Sequence, residues 1–229
     1  MKVLGIETST RAGSIAFIDG DRILGEFFLN LGPVHSEKLI PMIDWLLREV
    51  DIEKKEIEGI AVSIGPGSFT GLRVGLSTAK GLAFSLGIPL VGVSSLETLT
   101  MNIFTNFSIC SIIDARKREV FAAFFKSSDV GIIRTLDDIL ISPQGLCEMI
   151  RERTVFIGDG AVLYGDLLMN VLGELALFCP LNLNFPRASN SALIGARKLR
   201  EGQGDDLSTL APQYLRKAEA EIFRGGMIK

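Results

Sequence analysis

Histidine is almost missing from this chain: 229 residues contain only His35. Any chemistry that needs two imidazoles is thereby excluded. Cysteine is sparse and scattered. Cys110, Cys147 and Cys179 lie far apart with no CxxC pair, so they read as reduced core residues of a cytosolic protein rather than metal ligands or a redox couple. No uninterrupted apolar run approaches about 18 residues, which excludes a membrane-spanning helix. Met1-Lys2-Val3 runs directly into a strand that ends in a charge at Glu7, so no secretory leader is expected and the protein is expected to be cytoplasmic. Neither sign of charge is in excess. A net charge of −3 argues against a nucleic-acid footprint over the whole surface, though not against a local basic patch.

What is present is ample apolar material, 47% of residues, in a length that fits one large domain or two small ones. The most informative stretch is Ile64-Gly65-Pro66-Gly67-Ser68-Phe69-Thr70-Gly71-Leu72-Arg73-Val74-Gly75. It follows an apolar, strand-like run, Gly59–Ile64, and opens a helix, Thr70–Leu86. Pro66-Gly67 is turn chemistry, and Ser68 or Thr70 can cap the helix. A strand–turn–helix junction of this kind aims backbone N–H groups and a positive dipole end at one spot, which suits an anion. It is equally a tight turn that needs no ligand, and the junction alone does not decide.

Three strand-like segments precede it: Lys2–Glu7, Gly13–Asp19 and Arg22–Leu29. Asp19-Gly20-Asp21 marks a hairpin, so the three form an antiparallel meander. Ser36–Val50 carries a helical stripe of Leu39, Ile40, Ile43, Leu46, Leu47 and Val50, with Ser36 available as a cap. A short strand, Leu90–Val93, and a helix from Ser95 complete the first half. The second half repeats the order: strands Ser108–Asp114 and Glu119–Phe125, a weak third at Ile132–Leu136, a helix Pro143–Glu152, a strand Thr154–Ile157, a helix Gly160–Gly173, a strand Ala176–Cys179 and a helix Ser191–Arg200. The repeat lies in pattern rather than residue identity and divides the chain into 1–105 and 106–229. The tail from Pro212 on is expected to be partly disordered. Two β-β-β-α-β-α-β-α units predict an α/β protein of two tandem actin-like (ASKHA, RNase H-like) lobes, each a mixed sheet flanked by helices. In that architecture a nucleotide lies in the cleft and hairpin turns hold its phosphates.

Five segments resemble the bacterial TsaB (YeaZ) family, in family order. They are Ile6-Glu7-Thr8-Ser9-Thr10, His35-Ser36-Glu37-Lys38-Leu39-Ile40-Pro41, Gly65 to Gly75, Ile113-Asp114-Ala115-Arg116-Lys117-Arg118-Glu119-Val120-Phe121, and Pro212-Gln213-Tyr214-Leu215-Arg216. The resemblance implies a non-catalytic subunit of the machinery that places a threonylcarbamoyl group on the tRNA adenosine beside the anticodon. Its implied partners are the transferase paralogue TsaD and the ATPase TsaE, with TsaC supplying the threonylcarbamoyl-adenylate donor. The paralogue's HxxxH metal pair has no counterpart here. Leu39 stands four residues after His35, and the segment nearest in alignment, Ser94–Leu99, offers Ser94, Ser95, Glu97 and Thr98. No catalytic residue and no metal ligand is therefore assigned. His35 reads as a loop or helix-start residue, and Gly-Pro-Gly-Ser-Phe is not the Gly-x-Ser-x-Gly elbow that a Ser/His/Asp triad would use.

Glu7, Thr8, Ser9, Gly65, Gly67, Ser68, Thr70 and Arg116 are the positions expected to face a phosphate or nucleotide. No intrinsic cofactor is expected, and adenine nucleotide is a weak or partner-dependent ligand at most. The alternative is an ATP-dependent small-molecule kinase of the same fold, with Glu7 where sugar kinases carry Asp. Against it, the chain is short and offers no nameable general base. In the helix Thr70–Leu86, Gly71, Gly75, Ala79 and Ala83 stack in one line, either for a close partner backbone or to nest on the chain's own sheet. The resemblance implies a four-helix contact with TsaD or with a second copy, for which Leu39, Ile43, Leu46, Leu47, Leu72, Gly75, Leu76 and Ala79 are the candidates. A glutamate at Ala79 is expected to abolish the complex. Late basic residues (Arg197, Lys198, Arg200, Arg216, Lys217, Arg224 and Lys229) either lie near tRNA in an assembled complex or are a solvated face. Arg116, Lys117 and Arg118 are a better candidate for touching a phosphate or TsaE. Direct tRNA contact is expected only through the complex, and none with a membrane.

Overall fold

A computed structural model of the chain describes residues 1–30, 35–129 and 131–215, with the side chains of 35–37 set aside. The first half opens with an antiparallel meander, Lys2–Glu7 (β1), Gly13–Asp19 (β2) and Arg22–Leu29 (β3). Val3, Leu4 and Ile6 are fully buried, as a strand covered on both faces requires. The helix His35–Glu49 (α1) leads to β4 (Gly59–Gly65), which pairs parallel with β1. The helix Phe69–Leu86 (α2) leads to β5 (Leu90–Ser94), parallel to β4. A short helix, Ser95–Thr100 (α3), follows.

The second half lays down β6 (Ser108–Asp114), β7 (Val120–Ser128) and β8 (Gly131–Ile141) as a second antiparallel meander. Then come α4 (Pro143–Cys147), β9 (Thr154–Ile157), α5 (Asp159–Leu172), β10 (Ala176–Phe178) and α6 (Ala188–Arg200). The sheet orders are β3-β2-β1-β4-β5 and β8-β7-β6-β9-β10. The topology is the same element for element, and it is the two-sheet actin-like architecture that the element order predicts.

The helices sort into layers. α1 and α2 cover the outer face of the first sheet, where Leu39, Ile43, Leu46 and Leu47 meet Leu4, Ile6, Ile15 and Phe17. α4 and α5 cover the outer face of the second sheet through Leu146, Ala161 and Leu168. The inner faces are covered by the remaining two helices, and here the chain crosses over. α6, last of the described helices, lies on the first sheet, packing Ala192, Ile194 and Ala196 against Val3, Ile18, Ala61 and Val91. α3, from the first half, lies on the second sheet, with Leu96 and Leu99 against Ile109, Ile113, Phe121 and Phe125. Small residues permit the α6 contact: a Cβ on Gly5 would stand 2.2 Å from the Ala188 carbonyl oxygen. The division at residue 105 thus falls between the two sheets, while one helix from each side of it packs on the other side's sheet.

Several segments differ from their sequence reading, among them β7, which runs on to Ser128, and α6, which starts at Ala188. β8 reaches Ile141 rather than Leu136. It is a half-exposed edge strand interrupted by Asp137 and Asp138, and it is bulged against β7, so its alternation is broken. α4 ends at Cys147 rather than Glu152. Leu146, Cys147 and Ile150 all enter the core at helix-like spacing, but the chain leaves the helix before Ile150. Pro212–Leu215, placed in a disordered tail, is tied down: Gln213 N–H donates to the Ile64 carbonyl at 2.7 Å. The rest of that expectation, with Arg216, Lys217, Arg224 and Lys229, lies outside the described residues.

Candidate functional site

The β4–α2 junction forms as its residues dictate. Gly65 sits at φ +109, the Gly65–Pro66 peptide is cis, and Ser68 caps α2 by accepting from Gly71 N–H at 3.3 Å. The β1–β2 turn packs against the head of α2, while Ser68, Phe69 and Thr70 themselves stay exposed. Ser68 N–H donates to the Ser9 carbonyl at 2.6 Å, and the Thr8 hydroxyl donates to the Gly71 carbonyl at 2.8 Å. A Cβ on Gly67 would stand 2.2 Å from the Ser9 carbonyl oxygen, and one on Gly71 would stand 2.1 Å from that of Thr8. Gly75 meets the Thr8 hydroxyl in the same way. The glycine row therefore admits the chain's own β1–β2 turn, the nesting alternative of the sequence reading.

Glu7, Thr8 and Ser9 are brought together there, but each is buried. Glu7 Oε1 accepts Ser9 N–H at 2.7 Å. Burial pushes the Glu7 carboxyl above the usual carboxylate range, against the opposing pull of the Ser9, Ser63 and Ser191 hydroxyls. Thr70 is exposed on the first turn of α2. Arg116 is placed elsewhere, on the β6–β7 turn of the second sheet, where its guanidinium pairs with Asp114 at 3.1 Å. Arg116, Lys117 and Arg118 are consecutive left-handed residues, at φ 63, 54 and 60. Such a backbone costs roughly 1–2 kcal/mol per residue for side chains with a Cβ. No sequence signal announced it, because none of the three is Gly, Asn or Asp. Behind the turn, Asp159 Oδ1 accepts Asp114 N–H at 2.9 Å, and burial pushes the Asp159 carboxyl up to about 6.

Ser94, Ser95, Glu97 and Thr98 lie at the start of α3, where Thr98 reaches α6. Ser94 caps α3 through Glu97 N–H, and Thr98 shares a hydrogen bond with Ser191 at 3.2 Å. The Asn190 amide spans to the Thr98 carbonyl and to Asn102. Among the described residues no three His, Cys, Asp or Glu side chains converge to hold a metal ion, and no helix is long and apolar enough to cross a membrane. His35 opens α1, as a helix-start residue would.

The partner-facing candidates need correction. Leu39, Ile43, Leu46, Leu47, Leu72, Gly75, Leu76 and Ala79 are all buried within the chain itself, filling the space between the α1–α2 pair and the first sheet. The helical period was read correctly, but one sheet absorbs both apolar stripes. The side chains these helices leave exposed are different: Ile40 at 64%, Phe84 at 81%, and the exposed line Arg73, Ser77 and Gly81. Isolated apolar residues within a polar helix face carry little sequence signal. Ala79, fully inside, cannot serve as an interface probe.

The family model described as TsaD, tRNA N6-adenosine threonylcarbamoyltransferase, matches residues 32–223. The tRNA threonylcarbamoyladenosine biosynthesis protein TsaB of Bacillus subtilis (strain 168) is 33% identical over 96% of both chains. The protein of that name from Escherichia coli (strain K12) is 28% identical over 94% of this chain and 95% of its own. A crystal structure from Pseudomonas aeruginosa, described as an uncharacterized protein with similarity to peptidase YEAZ, superposes with a TM-score of 0.79 at 25% identity, covering 94% of this chain and 99% of that one. With both sheets, the β4–α2 junction and the first-turn residues in place over that whole length, the chain belongs to the TsaB (YeaZ) family.

Proposed function

We propose that this chain is a non-catalytic subunit in the biosynthesis of threonylcarbamoyladenosine on tRNA, and that it docks a TsaD-type transferase through the outer face of α1 and α2. One observation carries the reading. The β1–β2 turn takes the Ser68 N–H and presses on Gly67, Gly71 and Gly75, and Glu7 beside it is buried, which supports a packing rather than a catalytic use of this turn. The outer face of α1 and α2 leaves Ile40 and Phe84 in solvent, where a partner would cover them. The same face serves a second copy when the transferase is absent. The TsaE-type ATPase joins the assembled pair, and tRNA is met only through the complex. The protein keeps no metal or nucleotide of its own, adenine nucleotide entering only with partners, and it works in the cytoplasm.

Reconstitution tests this. The purified chain alone is expected to turn over no ATP and to modify no tRNA. Combined with the transferase, the ATPase and threonylcarbamoyl-adenylate, it restores modification. ATP turnover by the chain alone, dependent on a small-molecule acceptor, would establish the kinase alternative instead. The interface is tested with Phe84→Glu, which places a charge on the exposed face of α2, in its last turn. The variant is expected to fold and to lose co-elution with the transferase on gel filtration; retained co-elution removes the α2 face from the model.

A further inference from the structure

After α6 the chain returns along the open edge of β5. Asp205 N–H donates to the Leu90 carbonyl at 2.8 Å, and Asp205 Oδ2 accepts Gly92 N–H at 2.7 Å. Leu207 and Leu210 drop into the first-sheet core. The next five residues, Ala211–Leu215, then touch both halves of the molecule. On the first-half side, Gln213 N–H is bonded to the Ile64 carbonyl at the end of β4. The Tyr214 hydroxyl accepts from Arg73 Nε at 2.9 Å, and its ring lies 5.1 Å from that of Phe69, over which the Arg73 guanidinium stacks at 3.8 Å. On the second-half side, the Gln213 side chain lies beside the Asp138 carboxyl, which Arg134 of β8 holds. Leu215 packs on the cluster of Leu96, Ile113 and Phe121.

We infer that Ala211–Leu215 is a releasable strap that keeps the seam between the two sheets closed. It is built to let go more easily than the α3–α6 layer beneath it. It has no regular secondary structure, it is anchored by one backbone hydrogen bond to β4, and Tyr214 is half in solvent. Segments with few buried apolar contacts and exposed hydrogen bonds open first. When the strap leaves, Arg73 and Asp138, on opposite sides of the seam, lose a shared tether.

Amide hydrogen exchange on the full-length protein tests this, comparing wild type with Tyr214→Ala and Gln213→Ala, both surface changes that leave the core intact. The expected result is exchange about tenfold faster at the first turn of α2 and, in the same variants, at α3 and β8 across the seam, since one hydrogen bond and one ring contact are lost. Strands β2 and β9, away from the strap, should exchange as in wild type. Acceleration confined to residues 211–215 and the start of α2 would overturn the strap, as would uniform acceleration including β2 and β9, which reports general destabilisation. The outcome does not depend on whether the transferase docks on α2, because no partner is present.

Discussion

Asp159 shows how one carboxyl can carry a pH signature. Its raised value of about 6 follows from burial at the head of α5, with the Asp114 charge adding to it and Arg116 opposing it. A carboxyl whose folded value lies above its unfolded one binds its proton more tightly in the native state. Stability is therefore greatest when the group is protonated and falls as pH rises from about 4 to about 6. Asp159→Asn keeps an oxygen to accept Asp114 N–H and removes the charge. Urea titrations across that window are expected to show a flatter profile for the variant, with a gain of about 1–3 kcal/mol above pH 6. An unchanged slope would place the titration elsewhere. Little of this was legible in the sequence. Asp159 reads as an ordinary first-turn acid, and its shift depends on Asp114 and Arg116, which are distant in the chain but adjacent in the sheet. Glu7 was read as a phosphate- or nucleotide-facing position, yet whether it faced a cleft or an interior depended on how closely the Ser9 backbone approaches Gly67.

Within α2, glycines of one type do opposite things. Gly71 lies where a Cβ would meet the Thr8 carbonyl oxygen, whereas Gly81, exposed on the same helix, has nothing within 4 Å. Gly→Ala in an open helix interior stabilises by roughly 0.5–1 kcal/mol. Gly81→Ala is therefore expected to raise the denaturation midpoint. Gly71→Ala should lose about 1–3 kcal/mol as an overpacked contact against backbone that cannot yield. Equal effects of the two would mean that the first turn is not held against the helix. The helix itself was plain in the sequence, because its cap, its period and its closing Gly87 agree. The row of small residues was visible as well. What it admits was not, since periodicity names a face without naming its neighbour. α6 shows the same limit. Its small residues Ala188, Ala192, Gly195 and Ala196 let it approach the first sheet closely, and nothing local says that they belong there.

At the scale of the molecule, the two meanders and their order were legible because hairpin turns and alternation are local. The crossing of α3 and α6 was not, because helix-to-sheet assignment is decided by distant contacts. Burial within α2 separates two kinds of charge insertion. Ala79→Glu should prevent folding outright, since it buries an unpaired carboxylate in the first-sheet core, whereas Phe84→Glu should leave the melting temperature within a few degrees of the parent's. Circular dichroism melts distinguish them. A fragment of residues 1–105 would leave Val3, Ile18, Ala61, Val91 and Val93 without their cover, and it is expected to bind a hydrophobic dye and to aggregate.

A ribosome making this protein emits the first sheet about a hundred residues before the helix that roofs its inner face. Until that helix emerges, the nascent chain must carry a bare apolar surface. Completion of this sheet's packing is therefore timed by the release of a distant helix, and premature termination between the two should yield a product that quality-control machinery recognises and clears.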